Sequence, residues 1–228
     1  MIKNISNLGD AAVYCDFGSE VNETINTNVI DYFNHLSKLV NEKKIIGITN
    51  LTPSYNKLII SFDLTVINYK KIKNLIENLI IQKNKKKDNK KIDIPVCCEE
   101  EYGLDFDRLV NKLKISKDKI LNLYFDKEYF CYMTGFIAGM PFLGDLSEGI
   151  RCDRLETPRV KVPKGSVGIT EQFANIYTFE SPGGWNIIGN TPKKIFNNKN
   201  LDQPALIAPG DRLRFYQITK KEYLDWNE

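Results

Sequence analysis

Apolar positions recur in two different rhythms along the chain, and the change between them divides it. Through residue 96 the pattern alternates between strand-like runs and helical stripes. AAVYCDF (11–17) is an apolar, β-rich run. Ile25, Val29, Tyr32, Leu36 and Val40 then recur at steps of three or four, as one face of a helix requires. Two strand-like runs follow, around Ile45–Ile48 and from Lys57 to Phe62, with Pro53 and Ser54 in the turn between them. Asn68 is placed to cap a second helix carrying Ile72, Leu75, Ile76 and Leu79, and Ile92–Val96 reads as a last strand. The predicted order is β-α-β-β-α-β, a ferredoxin-like unit over residues 1–96.

Two short helices are predicted next, Asp105–Leu113 and Lys117 to about Tyr124, the second capped by Ser116. After Glu128 no long helical period remains before the terminus. Short alternating runs take over at 129–136, 165–170, 175–180, 185–189 and 211–218, punctuated by Gly, Pro and Asn. That texture predicts a closed β structure, so the chain reads as α+β with a second, β-rich domain over 97–228.

Charge narrows the possible partners. Net charge is +3, from 32 basic and 29 acidic side chains, which gives no electrostatic case for nucleic acid or a membrane surface. The basic run Lys83–Lys91 reads as a solvated loop between helix and strand. No apolar stretch approaches the ~18 residues a bilayer needs, and the N-terminal residues lack a basic segment leading into an apolar one. Five cysteines without regular spacing predict reduced thiols, hence a cytoplasmic protein.

Most familiar chemical motifs fail on inspection. SPGGWNIIGNTP (181–192) lacks the lysine of a P-loop and the strand-to-helix setting of a dinucleotide turn. It reads instead as a shaped turn in which Gly183 and Gly184 take left-handed or tightly packed conformations. KGSVG (164–168) resembles a nucleophile elbow but has Lys164 where the first glycine belongs. The single histidine, His35, lies on the first helix of the other domain, so a couple with a nucleophile of the β-rich domain would have to cross the domain boundary. Cys97 and Cys98 are adjacent and have no second pair, so no metal site is expected. What remains is a concentration of arginines and aromatics around the glycine-rich turns. Arg159, Tyr177 and Trp185 would suit a small anion with a flat body; the alternative has the arginines solvated and the aromatics in the core.

GFIAGMPFLGDL (135–146), TPRVKVPKGSVGI (157–169) and ESPGGWNIIGNTP (180–192) resemble the signature blocks of one family. IPVCCEEEYGLD (94–105) and PALIAPGDRLRF (204–215) are similar to its opening and closing segments. That family is the 5-oxoprolinase B subunit, which is also called allophanate hydrolase subunit 1, and it includes a kinase inhibitor of bacterial sporulation. The resemblance implies an N-terminal α/β domain and a C-terminal cyclophilin-like barrel. It implies a protein that works with two further subunits, a homologous-barrel one (C) and a third of another family (A), to open the lactam of 5-oxoproline. ATP is used by the assembly, and no cofactor is expected on this chain. In the sporulation branch the implied partner is a histidine kinase. By the same resemblance, Arg159, Ser166, Tyr177, Ser181, Gly183, Gly184 and Trp185 are the candidate substrate-binding residues, with no catalytic residue assigned. The chain departs from the family pattern at Tyr124, where a histidine is usual, at Ala138, and at Phe173. Those departures leave open a regulatory protein, or a carrier that binds without turnover.

Overall fold

The computed structural model describes residues 2–81 and 90–227, and it resolves into two compact units, 1–88 and 89–228. Most of the lysine run, 83–89, lies outside the described residues.

The first unit holds strands β1 (Asn4–Asn7) and β2 (Ala12–Asp16), helix α1 (Glu23–Asn41), strands β3 (Ile48–Pro53) and β4 (Lys57–Phe62), and helix α2 (Tyr69–Glu77). The four strands form an antiparallel sheet in the order β1-β2-β4-β3. Strand alternation sets the core: Val13 and Cys15 on β2 and Leu58, Ile60 and Phe62 on β4 are buried together. Against them pack Val29 and Leu36 of α1 and Ile72 and Ile76 of α2. Both helix starts are capped by asparagine: Asn22 accepts from the Ile25 amide and Asn68 from the Lys71 amide.

Connectivity here is β-β-α-β-β-α, which corrects the predicted ferredoxin-like order. Ile92–Val96 does not close this sheet; the N-terminal strand β1 occupies the edge beside β2 instead. The predicted final strand is β5 (Lys91–Cys97), and it runs parallel to β13 (Arg212–Ile218) from Lys91↔Arg212 to Cys97↔Ile218. The boundary between units therefore falls at 88/89 rather than 96/97. Residue pattern alone cannot choose between a sheet edge nearby and a partner strand at the other end of the chain.

The second unit is a closed barrel. Its helices are α3 (Phe106–Leu113), α4 (Lys117–Phe125) and α5 (Lys220–Leu224). Its remaining strands are β6 (Glu128–Thr134), β7 (Pro141–Gly144), β8 (Arg159–Val162), β9 (Ser166–Thr170), β10 (Phe173–Ile176), β11 (Ser181–Gly183) and β12 (Asn186–Asn190). Seven strands close in the order β10-β7-β6-β13-β5-β12-β9, with β9 pairing back to β10; β8 and β11 form a separate two-stranded ribbon. The predicted strand over 175–180 is broken, because β10 ends at Ile176 and β11 begins only at Ser181. Ile94, Val96, Ile169, Ile188, Leu213 and Phe215 fill the barrel core, with Leu109, Ile120 and Tyr124 from the helices. Tyr124 is fully buried, its ring about 5 Å from those of Tyr129 and Phe215. This departure from the family pattern is a packing residue, with an acidity suppressed by burial. Among the described residues no helix is long and apolar enough to cross a membrane.

Candidate functional site

The β8–β11 ribbon and the start of β12 carry most of the sequence-predicted residues. Arg159, the first residue of β8, makes a two-pronged ion pair with Asp105: Nη1 to Oδ2 at 3.0 Å and Nη2 to Oδ1 at 2.6 Å. Asp105 precedes α3 but does not cap it with its side chain. Its Oδ2 also accepts the Ile187 amide of β12 at 2.6 Å, and its own amide donates to the Ile187 carbonyl. A buried carboxylate, 5% exposed, is thus met by three N–H donors. The Arg159 guanidinium is committed to this clamp, which ties the ribbon to the barrel wall. It is not the open anion receptor that the sequence suggested.

Tyr177 is buried, and its hydroxyl faces Gly183, where an added Cβ would lie 2.2 Å from the phenolic oxygen. Gly183 is therefore required by close approach. Neither Gly183 nor Gly184 has a left-handed backbone, which corrects half of the expectation for this turn. At Gly184 a Cβ would meet only ordinary contacts with Pro158, and its carbonyl accepts from the Leu155 amide. Burial pushes the Tyr177 hydroxyl up, while the Asn175 side chain, the Trp185 amide and the charges of Arg154 and Arg159 pull it back. Asn175 is near enough to bear on that acidity, yet neither polar atom of its carboxamide closes a regular hydrogen bond. The Ser181 hydroxyl, also shielded from solvent, has no partner among the described residues.

Trp185 is buried edge-on to Phe142 at 5.7 Å, with the Arg154 guanidinium 5.8 Å from its ring centre. Arg108 of α3 holds this corner from beneath. It bonds the Asn186 side-chain oxygen and reaches the Asp153 and Arg154 carbonyls. Ser166 stands apart from the ribbon: it opens β9, and its carbonyl accepts the Tyr177 amide.

The structure thus gathers Arg159, Tyr177, Ser181, Gly183 and Trp185 and leaves Ser166 at the barrel's other feature, the Lys164–Gly165 turn. Sequence reasoning missed Asp105, Arg108 and Asn186 as site residues. Asp105 and Arg108 sit in an ordinary amphipathic helix start, where an acidic residue reads as a cap and a basic one as solvated. All five cysteines are buried and free. Burial raises Cys15 and Cys98 to about 12 and lifts Cys97 and Cys131 as well, so at neutral pH these are thiols, not nucleophilic thiolates. Among the described residues no group of His, Cys, Asp and Glu is arranged to hold a metal ion.

Residues 3–207 match the family described as carboxyltransferase domain, subdomain C and D. The chain is 29% identical to the 5-oxoprolinase B subunit of Bacillus subtilis over 98% of its own length and 96% of that protein. It is 41% identical to the 5-oxoprolinase B subunit of Haemophilus influenzae over 54% of its length and 58% of the relative. The crystal structure of TTHA0988 superposes with a TM-score of 0.80 at 26% identity, covering 91% of this chain and 40% of that one. The chain therefore belongs to the carboxyltransferase-domain family, in the branch of the 5-oxoprolinase B subunit. It accounts for well under half of the longer TTHA0988 chain.

Proposed function

We propose that this chain is the B subunit of an ATP-dependent complex that opens the lactam of 5-oxoproline to glutamate, and that it has no turnover alone. The observation that carries the reading is two buried side chains that close no regular hydrogen bond, the Asn175 carboxamide next to Tyr177 and the Ser181 hydroxyl on the ribbon. Orphaned polar groups in a barrel wall cost about 1–3 kcal/mol each, which a ligand that fills them would recover. A lactam presents one N–H and one C=O side by side, and a carboxamide presents the complementary pair. Asn175 is the residue that would hold the ring amide, with the Ser181 hydroxyl as a further donor. Arg154 would take the substrate carboxylate: it lies over Trp185 and makes no ion pair among the described residues, whereas Arg159 is occupied.

An amide is resonance-stabilised and needs activation before water can attack, and ATP supplies that by phosphorylating the lactam oxygen. The role of this chain is then to orient the ring and stabilise charge on its oxygen with preset donors. Dependence on partners follows from the chemistry present. The cysteines are buried thiols, and the one histidine lies in the other unit. Mixing the chain with its A and C partners and following 5-oxoproline-dependent ATP consumption tests the reading. Turnover is expected only with all three proteins together, and Asn175→Leu is expected to raise KM for 5-oxoproline by about tenfold, the loss of one good hydrogen-bonded pair. Undiminished turnover without this chain, or a folded Asn175→Leu variant with unchanged KM, overturns it.

A further inference from the structure

The irregular stretch that leads into β8 is held more firmly than its backbone shape suggests. Residues 151–155 belong to no helix or strand, yet four of them in succession are bonded. The Cys152 carbonyl accepts from the Glu171 amide at 2.7 Å and from the Thr170 hydroxyl at 3.3 Å. The Asp153 carbonyl accepts from the buried Asn186 carboxamide at 2.9 Å, and the same nitrogen reaches the Ile169 carbonyl of β9 at 3.1 Å. The Arg154 carbonyl accepts from Arg108 Nη2 at 3.2 Å, and the Leu155 amide donates to the Gly184 carbonyl at 2.7 Å. Loops ordinarily keep conformational freedom; this one has surrendered it residue by residue.

Arg108 is the hub of that anchoring. Its Nη1 bonds Asn186 Oδ1 and reaches the Asp153 carbonyl at 3.5 Å and the Cys152 sulfur at 3.4 Å, while Nη2 takes the Arg154 carbonyl. A planar guanidinium can serve several acceptors at once because its N–H groups project in a fixed fork. Among the described residues, that bond from Arg108 is the one hydrogen bond made by the Arg154 backbone. Arg108 follows Asp105 by three residues, which puts the two on one side of the helix start. Asp105 holds Arg159 and Arg108 holds 152–154, so one helix start grips both ends of the stretch. The Arg154 side chain gains from this. It is exposed, yet its guanidinium sits 5.8 Å from the Trp185 ring centre and its charge bears on the Tyr177 hydroxyl. An arginine on a loose loop loses backbone and side-chain freedom together when it binds an anion. With the backbone already fixed and a ring to lie against, less is lost.

We propose that Arg108 is a positioning residue for substrate binding, a role that rests on Arg154 taking the carboxylate of the lactam. Arg108 fixes the Arg154 backbone, and the Arg154 guanidinium is thereby kept over Trp185, where it meets that carboxylate. Arg108 itself touches no substrate. Its removal therefore weakens binding through Arg154 and leaves the chemical step alone.

The test compares the parent, Arg108→Ala, Arg154→Ala and the double variant. Backbone order parameters are measured by NMR on the full chain, and KM and kcat for 5-oxoproline on the complex with the A and C partners. Arg108→Lys, which keeps the charge and loses the fork, serves where Arg108→Ala does not fold. The Arg154 amide is expected at an order parameter of about 0.85 in the parent and below about 0.6 once Arg108 is changed. Arg154→Ala is expected to raise KM at least about tenfold, the loss of one charge-assisted contact, and Arg108→Ala at least about fivefold. Both keep kcat within about twofold of the parent. In the Arg154→Ala background the Arg108 change is expected to alter KM by less than about twofold, because no guanidinium is left to position. A merely structural role would reduce the folded fraction and so lower kcat at unchanged KM, and that result overturns the proposal. So does an Arg154 amide that stays rigid without Arg108, or a KM rise as large without Arg154 as with it. A parent complex with no turnover overturns the lactam reading and this role with it; turnover with any of the other three results overturns the role alone.

Discussion

The two units solve the same packing problem with different materials. In the first, the buried side chains are almost all apolar, with Asn26 and Asn56 as the exceptions, and both asparagines are bonded to backbone carbonyls of nearby turns. In the barrel unit, Asp105, Ser166, Thr170, Asn175, Thr178, Ser181, Asn186, Asn190, Thr191 and Asp211 are all buried. The side-chain polar atoms of two of these, Asn175 and Ser181, close no regular hydrogen bond among the described residues. A sheet with helices needs only an oil-like layer between them. A barrel that spends buried polarity on its wall, and does not satisfy all of it, is arranged to meet something else.

The ion pairs sharpen this contrast, and so do the mutations that break them. Asp105→Ala removes the carboxylate that joins Arg159 to the Ile187 amide and leaves a half-buried guanidinium unpaired. The expected loss of stability is about 3–5 kcal/mol. Hydrogen exchange should localise it, with β8 and β12 amides exposed sooner and first-unit amides unchanged; uniform acceleration in both units would break the comparison. Leu36→Ala carries the opposite signature. Deleting a fully buried side chain from the first core is expected to cost about 2–5 kcal/mol, with the faster exchange confined to α1, β2 and β4. Gly183→Ala comes next, at about 1–3 kcal/mol, because a methyl group cannot share space with the Tyr177 hydroxyl. Adding Tyr177→Phe, which removes that oxygen, is expected to recover part of the loss. A double variant no better than Gly183→Ala would show that the clash lies elsewhere.

The same contrast explains what could be read from residues alone. In the first unit, β1–β2 and β3–β4 are hairpins whose partners are neighbours in sequence, so alternation and capping suffice to place Val13, Leu58, Ile72 and Asn68. The barrel's texture was legible as short, punctuated strands, and α4 begins behind its predicted cap Ser116, with α3 within a residue of its predicted span. Its closure was not, because β5 and β13 pair from opposite ends of the unit, and a parallel pairing leaves no turn signal between them. For the site, the glycine-rich block named Tyr177 and Trp185, which the structure buries in one corner of the barrel unit with Gly183. The ion pair of Arg159 with Asp105 was not legible, since nothing in a helix start marks Asp105 as its partner. Arg154, a few residues earlier in the loop, is the guanidinium left over.

The mildest test uses the first unit's own ion pair. Asp16 bonds Lys57 Nζ at 2.5 Å and also accepts the Gly18 amide, and both contacts, the lysine first, lower its pKa below the ordinary carboxylate range. Both side chains remain partly exposed, 33% and 22%, so solvent screens the pair and its worth is under about 1 kcal/mol. A folded pKa below the unfolded value of about 4 means that the contribution is complete above that pH and is lost as pH falls through the folded pKa. Asp16→Asn should therefore be slightly less stable than the parent at neutral pH, and the gap should close on acidification below about pH 4. Unfolding midpoints taken across that interval decide it. A gap that stays constant would mean the aspartate acts by hydrogen-bond geometry rather than charge, and the first unit would then resemble the barrel more than its exposed pair suggests.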